Sequence, residues 1–306
     1  MGLFLSSDNR CVTSATSPYR SPSEHYENFP VASWLCPPAL RPPIAAIYWF
    51  ARTADDIADE GQASAAARLE DLAQYRDDLQ RTVQSRPPSD RWPGVFQPLA
   101  PILRAFDLPV ALLVNLLDAF EQDVAYTDAG RRYRTDDELL AYCRLSANPV
   151  GRLLLHLYGV RDSASVEQSD WICTALQLIN FWQDLRTDIA RARWYPSVEQ
   201  MTRHAVDEAD LLRDANHAAA SRMVAHYAGA AGHMMRQGAP LALRLPGRAG
   251  WELRLVVQGG LRILEKMALM NHATWRARPK LGKRDLPLML WRACWPVAPQ
   301  ADAQAP

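Results

Sequence analysis

Residues Gln177–Tyr195, QLINFWQDLRTDIARARWY, decide the reading of this chain. As a helix, the stretch puts Gln177, Asn180, Asp184 and Asp188 on one side, at steps of three and four. Leu178, Ile179, Phe181, Trp182, Leu185 and Ile189 cover the rest, and a helix apolar around most of its circumference is buried. Its one polar stripe must therefore face something polar inside the protein. Interior carboxylates are costly unless they are paired or bound to metal. A second stretch, Ile47–Gly61, IYWFARTADDIADEG, repeats the pattern with Tyr48, Arg52, Asp55 and Asp59 on one face. If the two stripes face each other, four carboxylates converge, and self-repulsion forbids that without cations. Hard divalent cations with oxygen ligands remove the conflict, and Mg²⁺ binds through one or two carboxylates plus substrate phosphates. The expectation is a metal–diphosphate site between two buried helices.

The totals agree with a folded globule. In 306 residues, 48% are hydrophobic and 22% charged, enough to bury a substantial core. The net charge is zero, which argues against nucleic acid as a partner. Cys11, Cys36, Cys143, Cys173 and Cys294 are scattered without a CxxC pair and read as reduced thiols, not metal ligands. No apolar run reaches the length of a membrane span, and the first residues lack the basic start and apolar segment of a secretory signal. A cytoplasmic protein is expected, touching the inner face of the membrane only peripherally.

Taken in order, the chain reads as a disordered segment over 1–22, one all-α domain over 23–296, and a flexible tail over 297–306. Helices are expected from Pro42 to Gly61, Ala65 to Ser85, Phe96 to Phe106 and Pro109 to Tyr126, with Pro87, Pro88, Pro93 and Gly94 as a loop. Thr135-Asp-Asp-Glu138 is a capping-box start, and Pro149 predicts a kink near Ser146 in a helix ending at Gly159. The central helix follows from Ser165, then a long helix over Asp207–Gly238, a connector over Pro240–Pro246, a helix over Gly250–Arg278 and a short apolar one over Leu286–Trp295. There is no period-2 strand pattern, and no GxGxxG after a strand, so no nicotinamide cofactor is expected.

Asp55-x-x-x-Asp59 within FARTADDIADEG and Asn180-x-x-x-Asp184-x-x-x-Asp188 within NFWQDLRTD together resemble the signature of the squalene/phytoene synthase family. The resemblance runs from about His25 to Pro279. The stretches HYENFPVAS, SANPVGRL, LINFWQDL and VVQGGLRILEKM are similar to its bacterial hydroxysqualene-forming branch in hopanoid biosynthesis. It implies a helical bundle of the isoprenoid-synthase type around a central apolar cavity. The implied reaction takes presqualene diphosphate and water to an alcohol and diphosphate, with Mg²⁺ as cofactor.

The resemblance also implies roles. Asp55, Asp59, Asp184 and Asp188 would hold Mg²⁺, with Asn180 and Gln177 beside them. Arg52 and Arg193 would bind diphosphate oxygens. His25, Tyr48 and Tyr195 would line the diphosphate end, and Tyr142 would lie near the reacting carbons. Three departures from the commoner family pattern stand out: Gln183 for an arginine, Asn148-Pro149 for a small pair, and Gly260 where many members have tyrosine. They weaken the case for full condensation of two substrates. Asn148 or Gln183 is expected to place the capturing water.

Other readings stay open. Arg52 could pair with Asp55 or Asp59 to hold helices together, and His25 could cap a turn. Phe181 and Trp182 could be core packing, and Asn148-Pro149 could serve only to bend a helix. The competing functions are a condensing squalene or phytoene synthase and a non-catalytic helical assembly factor. So apolar a product would leave through a membrane surface or by handover to a neighbouring enzyme.

Overall fold

The computed structural model describes residues 36–213 and 217–297. Regular structure in these residues is helical throughout, with no strand among them. A short 3₁₀ turn at Pro38–Leu40 leads into α1 (Arg41–Asp59), where Pro42 and Pro43 occupy the opening turn that tolerates them. Next come α2 (Ala65–Val83), α3 (Pro93–Ala105) and α4 (Val110–Asp128). The expected loop at Pro93-Gly94 is instead the first turn of α3, since proline at a helix start loses no hydrogen bond. The Thr135 cap is present: its side chain accepts from the Glu138 N–H at 3.3 Å, and the Glu138 carboxylate accepts from the Arg134 N–H at 2.7 Å.

The kink expected at Pro149 is a full break. α5 (Asp136–Ser146) ends, Ala147 stands between the two helices with its N–H still bonded to the Cys143 carbonyl, and α6 (Asn148–Leu157) starts with Pro149 in its opening turn. The central helix is also two pieces, α7 (Ser163–Gln183) and α8 (Leu185–Ala190), joined at Asp184. Sequence periodicity carried it unbroken to Tyr195. The bend falls on the two residues that reach out to the 270–285 segment, Gln183 and Asp184. The expected long helix over 207–238 is likewise α10 (Glu208–Leu212) and α11 (His217–Gly238), preceded by an unforeseen α9 (Val198–Arg203). The connector holds α12 (Leu241–Arg244), α13 (Gly247–Leu269) stops well short of Arg278, and α14 is Leu286–Ala293.

Two apolar cores fill the bundle. One joins α1 to α4, where the ring of Tyr75 lies 5.2 Å from Phe50 and 4.8 Å from Phe96, and its hydroxyl donates to the Phe50 carbonyl at 3.0 Å. The other gathers α5, α7, α11 and α13, with Trp182 stacked on Tyr227 at 3.9 Å. α7 and α11 cross at backbone distance: a Cβ on Gly238 would stand 2.5 Å from the Gln168 carbonyl oxygen. α1 belongs to the first core and α7 to the second, so the two acidic stretches come from opposite halves of the molecule.

Candidate active site

The acidic face of α1 points inward at its C-terminal end. Asp55 is buried, and burial, with the nearby Asp59 charge, pushes its carboxyl up to about 7. Arg52 lies 4.0 Å from Asp55, but its closer partners are Asp56 at 2.5 Å and Glu60 at 2.7 Å. The helix-to-helix tie by Arg52 is therefore absent; the guanidinium is held along its own helix, at the rim of the row. Tyr48, one turn earlier and half-buried, packs edge-on to Trp49 at 5.2 Å.

The second row survives the bend. The Asp188 N–H still donates to the Asp184 carbonyl at 3.0 Å, so the two aspartates keep their four-residue register. Past α8, Ala192 takes a left-handed φ of 58°, and the Arg193 N–H donates back to the Asp188 carbonyl at 2.8 Å. That reversal, not a continuing helix, aims Arg193 and Tyr195 at the site. The Arg193 guanidinium forms an ion pair with Asp59, across 134 residues of chain. Its charge also acts on Asp188 and Asp123. The two rows meet at this arginine. Asp188 itself is pushed up to about 7 by burial and by Asp184 beside it. Asp184 is in turn paired with Arg278, a residue whose part in the site the sequence reading missed.

A fifth carboxylate was also missed. Asp123 of α4 is buried, accepts a 2.6 Å hydrogen bond from the Tyr142 hydroxyl, and has its carboxyl raised by burial. The signal was in the sequence: Leu113, Leu116, Leu117, Phe120, Asp123 and Val124 form one stripe, so Asp123 occupies a core position. Burial and the Asp123 charge hold the Tyr142 phenol far above its ordinary range, so it remains a donor. Tyr133, Tyr142, Phe181 and Tyr195 close an aromatic box around this pair. Tyr195 stacks on Phe181 at 3.7 Å and faces Tyr142 at 6.3 Å. Phe181, stacked on Tyr195, and Trp182, stacked on Tyr227, both pack in the core.

Gln177 is completely buried, and neither of its amide atoms has a hydrogen-bond partner. An orphaned amide is expensive unless a ligand supplies the partner. Asn180 is buried one turn on. Asn148 and Gln183 have other partners: the Asn148 carbonyl oxygen accepts from Thr174 at 2.9 Å, tying α6 to α7. Gln183 Nε2 donates to the Pro279 carbonyl at 2.6 Å, tying α7 to the segment after α13. Gly260 faces α7 and α11, where a Cβ would stand 2.7 Å from Met235 Cε, the flexible tip of a side chain that would have to move aside. His25 lies outside the described residues.

The donor set suits a hard divalent cation delivered with a diphosphate. Among the described residues no group of three or more acidic, histidine or cysteine side chains is close enough to hold a metal alone. Each row offers one or two carboxylates, as Mg²⁺ requires when phosphate oxygens complete its shell. Burial and neighbouring carboxylates push two of the carboxyls up to about 7, and the Gln177 amide lacks a hydrogen-bond partner.

A profile of the squalene/phytoene synthase family matches residues 23–285. A hydroxysqualene synthase from Zymomonas mobilis is 41% identical over 163 residues, covering 53% of this chain and 51% of that protein. One from Rhodopseudomonas palustris is 38% identical over 181 residues, 58% of this chain and 56% of that protein. These matches span about half the length of the curated relatives. A presqualene diphosphate synthase from Rhodopseudomonas palustris is 28% identical, covering 84% of this chain and 88% of that protein. Among solved structures, a squalene synthase from Alicyclobacillus acidocaldarius superposes with a TM-score of 0.72 at 30% identity, covering 81% of this chain and 90% of that one. With the paired acidic rows and this helical fold, the chain belongs to the squalene/phytoene synthase family.

Proposed function

We propose that this protein converts presqualene diphosphate and water into hydroxysqualene and diphosphate, acting as a Mg²⁺-dependent carbon–oxygen lyase. The observation that carries the reading is the Arg193–Asp59 ion pair, which brings two acidic rows from opposite halves of the bundle to one place. The likeness to hydroxysqualene synthases supports the choice of substrate.

When bound, Mg²⁺ supplies the charge neutralisation that lets a diphosphate leave. Asp55 and Asp59 on one side and Asp184 and Asp188 on the other would hold it. Arg193 takes diphosphate oxygens at the junction of the rows, and Arg52 does so at the rim. Gln177 and Asn180 donate to the same group, which gives the orphaned Gln177 amide its partner. The C–O bond then ionises, and the electron pair leaves with the diphosphate. Tyr142, Phe181 and Tyr195 present ring faces to the resulting allyl-type or cyclopropylcarbinyl-type cation and keep bulk water away. One water adds to carbon, loses a proton, and leaves the alcohol. Asn148, through the amide N–H₂ that the bond from Thr174 does not use, or Gln183, through its carbonyl oxygen, places that water. The product leaves into a bilayer or to a neighbouring enzyme.

The test is turnover of presqualene diphosphate in H₂¹⁸O with Mg²⁺. The reading expects one alcohol carrying ¹⁸O, and no product from farnesyl diphosphate alone. A second reading, head-to-head condensation of two prenyl diphosphates, is favoured by the presqualene diphosphate synthase match over most of the chain. Efficient product from farnesyl diphosphate alone would establish it and overturn the first.

A further inference from the structure

The last described helix is built inside out. α14 lies over α13 with Met289 and Ala293 toward the protein, Met289 Cε standing 3.4 Å from where a Cβ on Gly259 would be. Its outward half carries Leu286, Leu290 and Trp291, with Trp295 one step beyond, and no polar side chain falls among them. Trp291 and Trp295 are each 63% exposed, more than any core or site aromatic of the chain. The one charge on the helix, Arg292, turns the other way and pairs with Glu265 at 2.5 Å. A surface helix normally turns its apolar side inward. This one shows apolar side chains to solvent in one contiguous patch.

The turn before the helix adds charge of one sign. Lys280, Lys283 and Arg284 are exposed. Asp285, the only acidic residue between 276 and 297, is buried beneath them, with Arg262 at 2.8 Å and Lys266 at 2.5 Å as partners. The surface therefore combines tryptophan, leucine and unopposed lysine and arginine. That chemistry matches an anionic bilayer surface: indoles sit at the headgroup level, leucines enter the acyl boundary, and cations stay in the headgroups. A protein partner or a second copy would have to match both an apolar and a wholly cationic strip.

We infer that α14 and the turn before it, residues 280–295, dock this protein peripherally on a membrane rich in anionic lipid. No helix among the described residues is long and apolar enough to cross a membrane, so the contact is interfacial. This goes beyond the proposed reaction and stands without it. One consequence rests on that reaction: Arg278 and Pro279, immediately before Lys280, hold Asp184 and Gln183. The docking surface would then lie next to the acidic site, a short path for an apolar product.

The experiment is flotation of the full chain with phosphatidylcholine vesicles containing phosphatidylglycerol, against pure phosphatidylcholine. Wild type is expected to float with the anionic vesicles and weakly or not at all with the neutral ones. Lys283→Glu/Arg284→Glu is expected to lower partitioning at least tenfold, at about fivefold per cation lost near an anionic surface. Trp291→Ser/Trp295→Ser is expected to lower it similarly while melting at the wild-type temperature and keeping turnover in detergent solution. Failure of wild type to float, or flotation of either variant equal to that of wild type, would overturn the inference. So would a concentration-dependent dimer in sedimentation that the tryptophan variant abolishes, since a second copy would then be the occupant.

Discussion

Asp55 and Asp188 face each other's half of the bundle with carboxyls raised to about 7, far above the roughly 4 of an unfolded chain. The sign follows. A raised acid contributes stability that is complete below pH ~4 and is lost as pH rises through about 7. The metal-free protein should therefore melt higher at pH 5.5 than at pH 8. Mg²⁺ delivered with inorganic diphosphate competes with those protons, so the stabilisation the two give together in a thermal-shift assay should be large at pH 8 and small at pH 5.5. Asp55→Asn/Asp188→Asn should flatten both dependences; an unchanged pH profile in that variant would assign the effect elsewhere. Tyr142→Phe removes the donor to buried Asp123 and should cost about 1–3 kcal/mol in urea denaturation. At this scale the sequence was readable where a polar residue sat in a periodic row, as with Gln177. It was misread where one polar residue interrupted an apolar stripe, as with Asp123, and where a cation reached the site from a loop, as with Arg278.

At the scale of elements, helical period and proline placement gave helix type and order, because both depend on nearby residues. Breaks caused by distant contacts were not legible. Nothing local ends α7 at Gln183; the pull comes from Pro279 and Arg278, about 95 residues on. Nor does periodicity show that Ala192 reverses the chain to aim Arg193 at Asp59. If that pair joins the two halves, a double-mutant cycle of Asp59→Asn and Arg193→Gln should show a coupling of about 0.5–3 kcal/mol in unfolding free energy. Additive effects would mean the pair does not join them. Gly238→Ala forces α11 off the Gln168 carbonyl and should destabilise by about 1–3 kcal/mol. Gly94→Ala, with open space around it, is the control that should cost far less.

For the whole molecule, two apolar cores leave their polar faces to one another, and charge decides what can sit between them. The fold and the acidic rows were visible in the sequence because burying a carboxylate is so costly that its pattern is conspicuous. The outward apolar face of α14 was not legible in the short apolar helix expected over Leu286–Trp295, since hydrophobic pattern alone cannot say which side of a short helix meets protein. The central claim is that residues of both rows jointly bind a diphosphate through Mg²⁺. Calorimetric titration with inorganic diphosphate tests it directly. Binding should require Mg²⁺ and fall at least a hundredfold in Asp55→Asn and equally in Asp184→Asn. Binding that persists without Mg²⁺, or that only one row's substitution weakens, would contradict it.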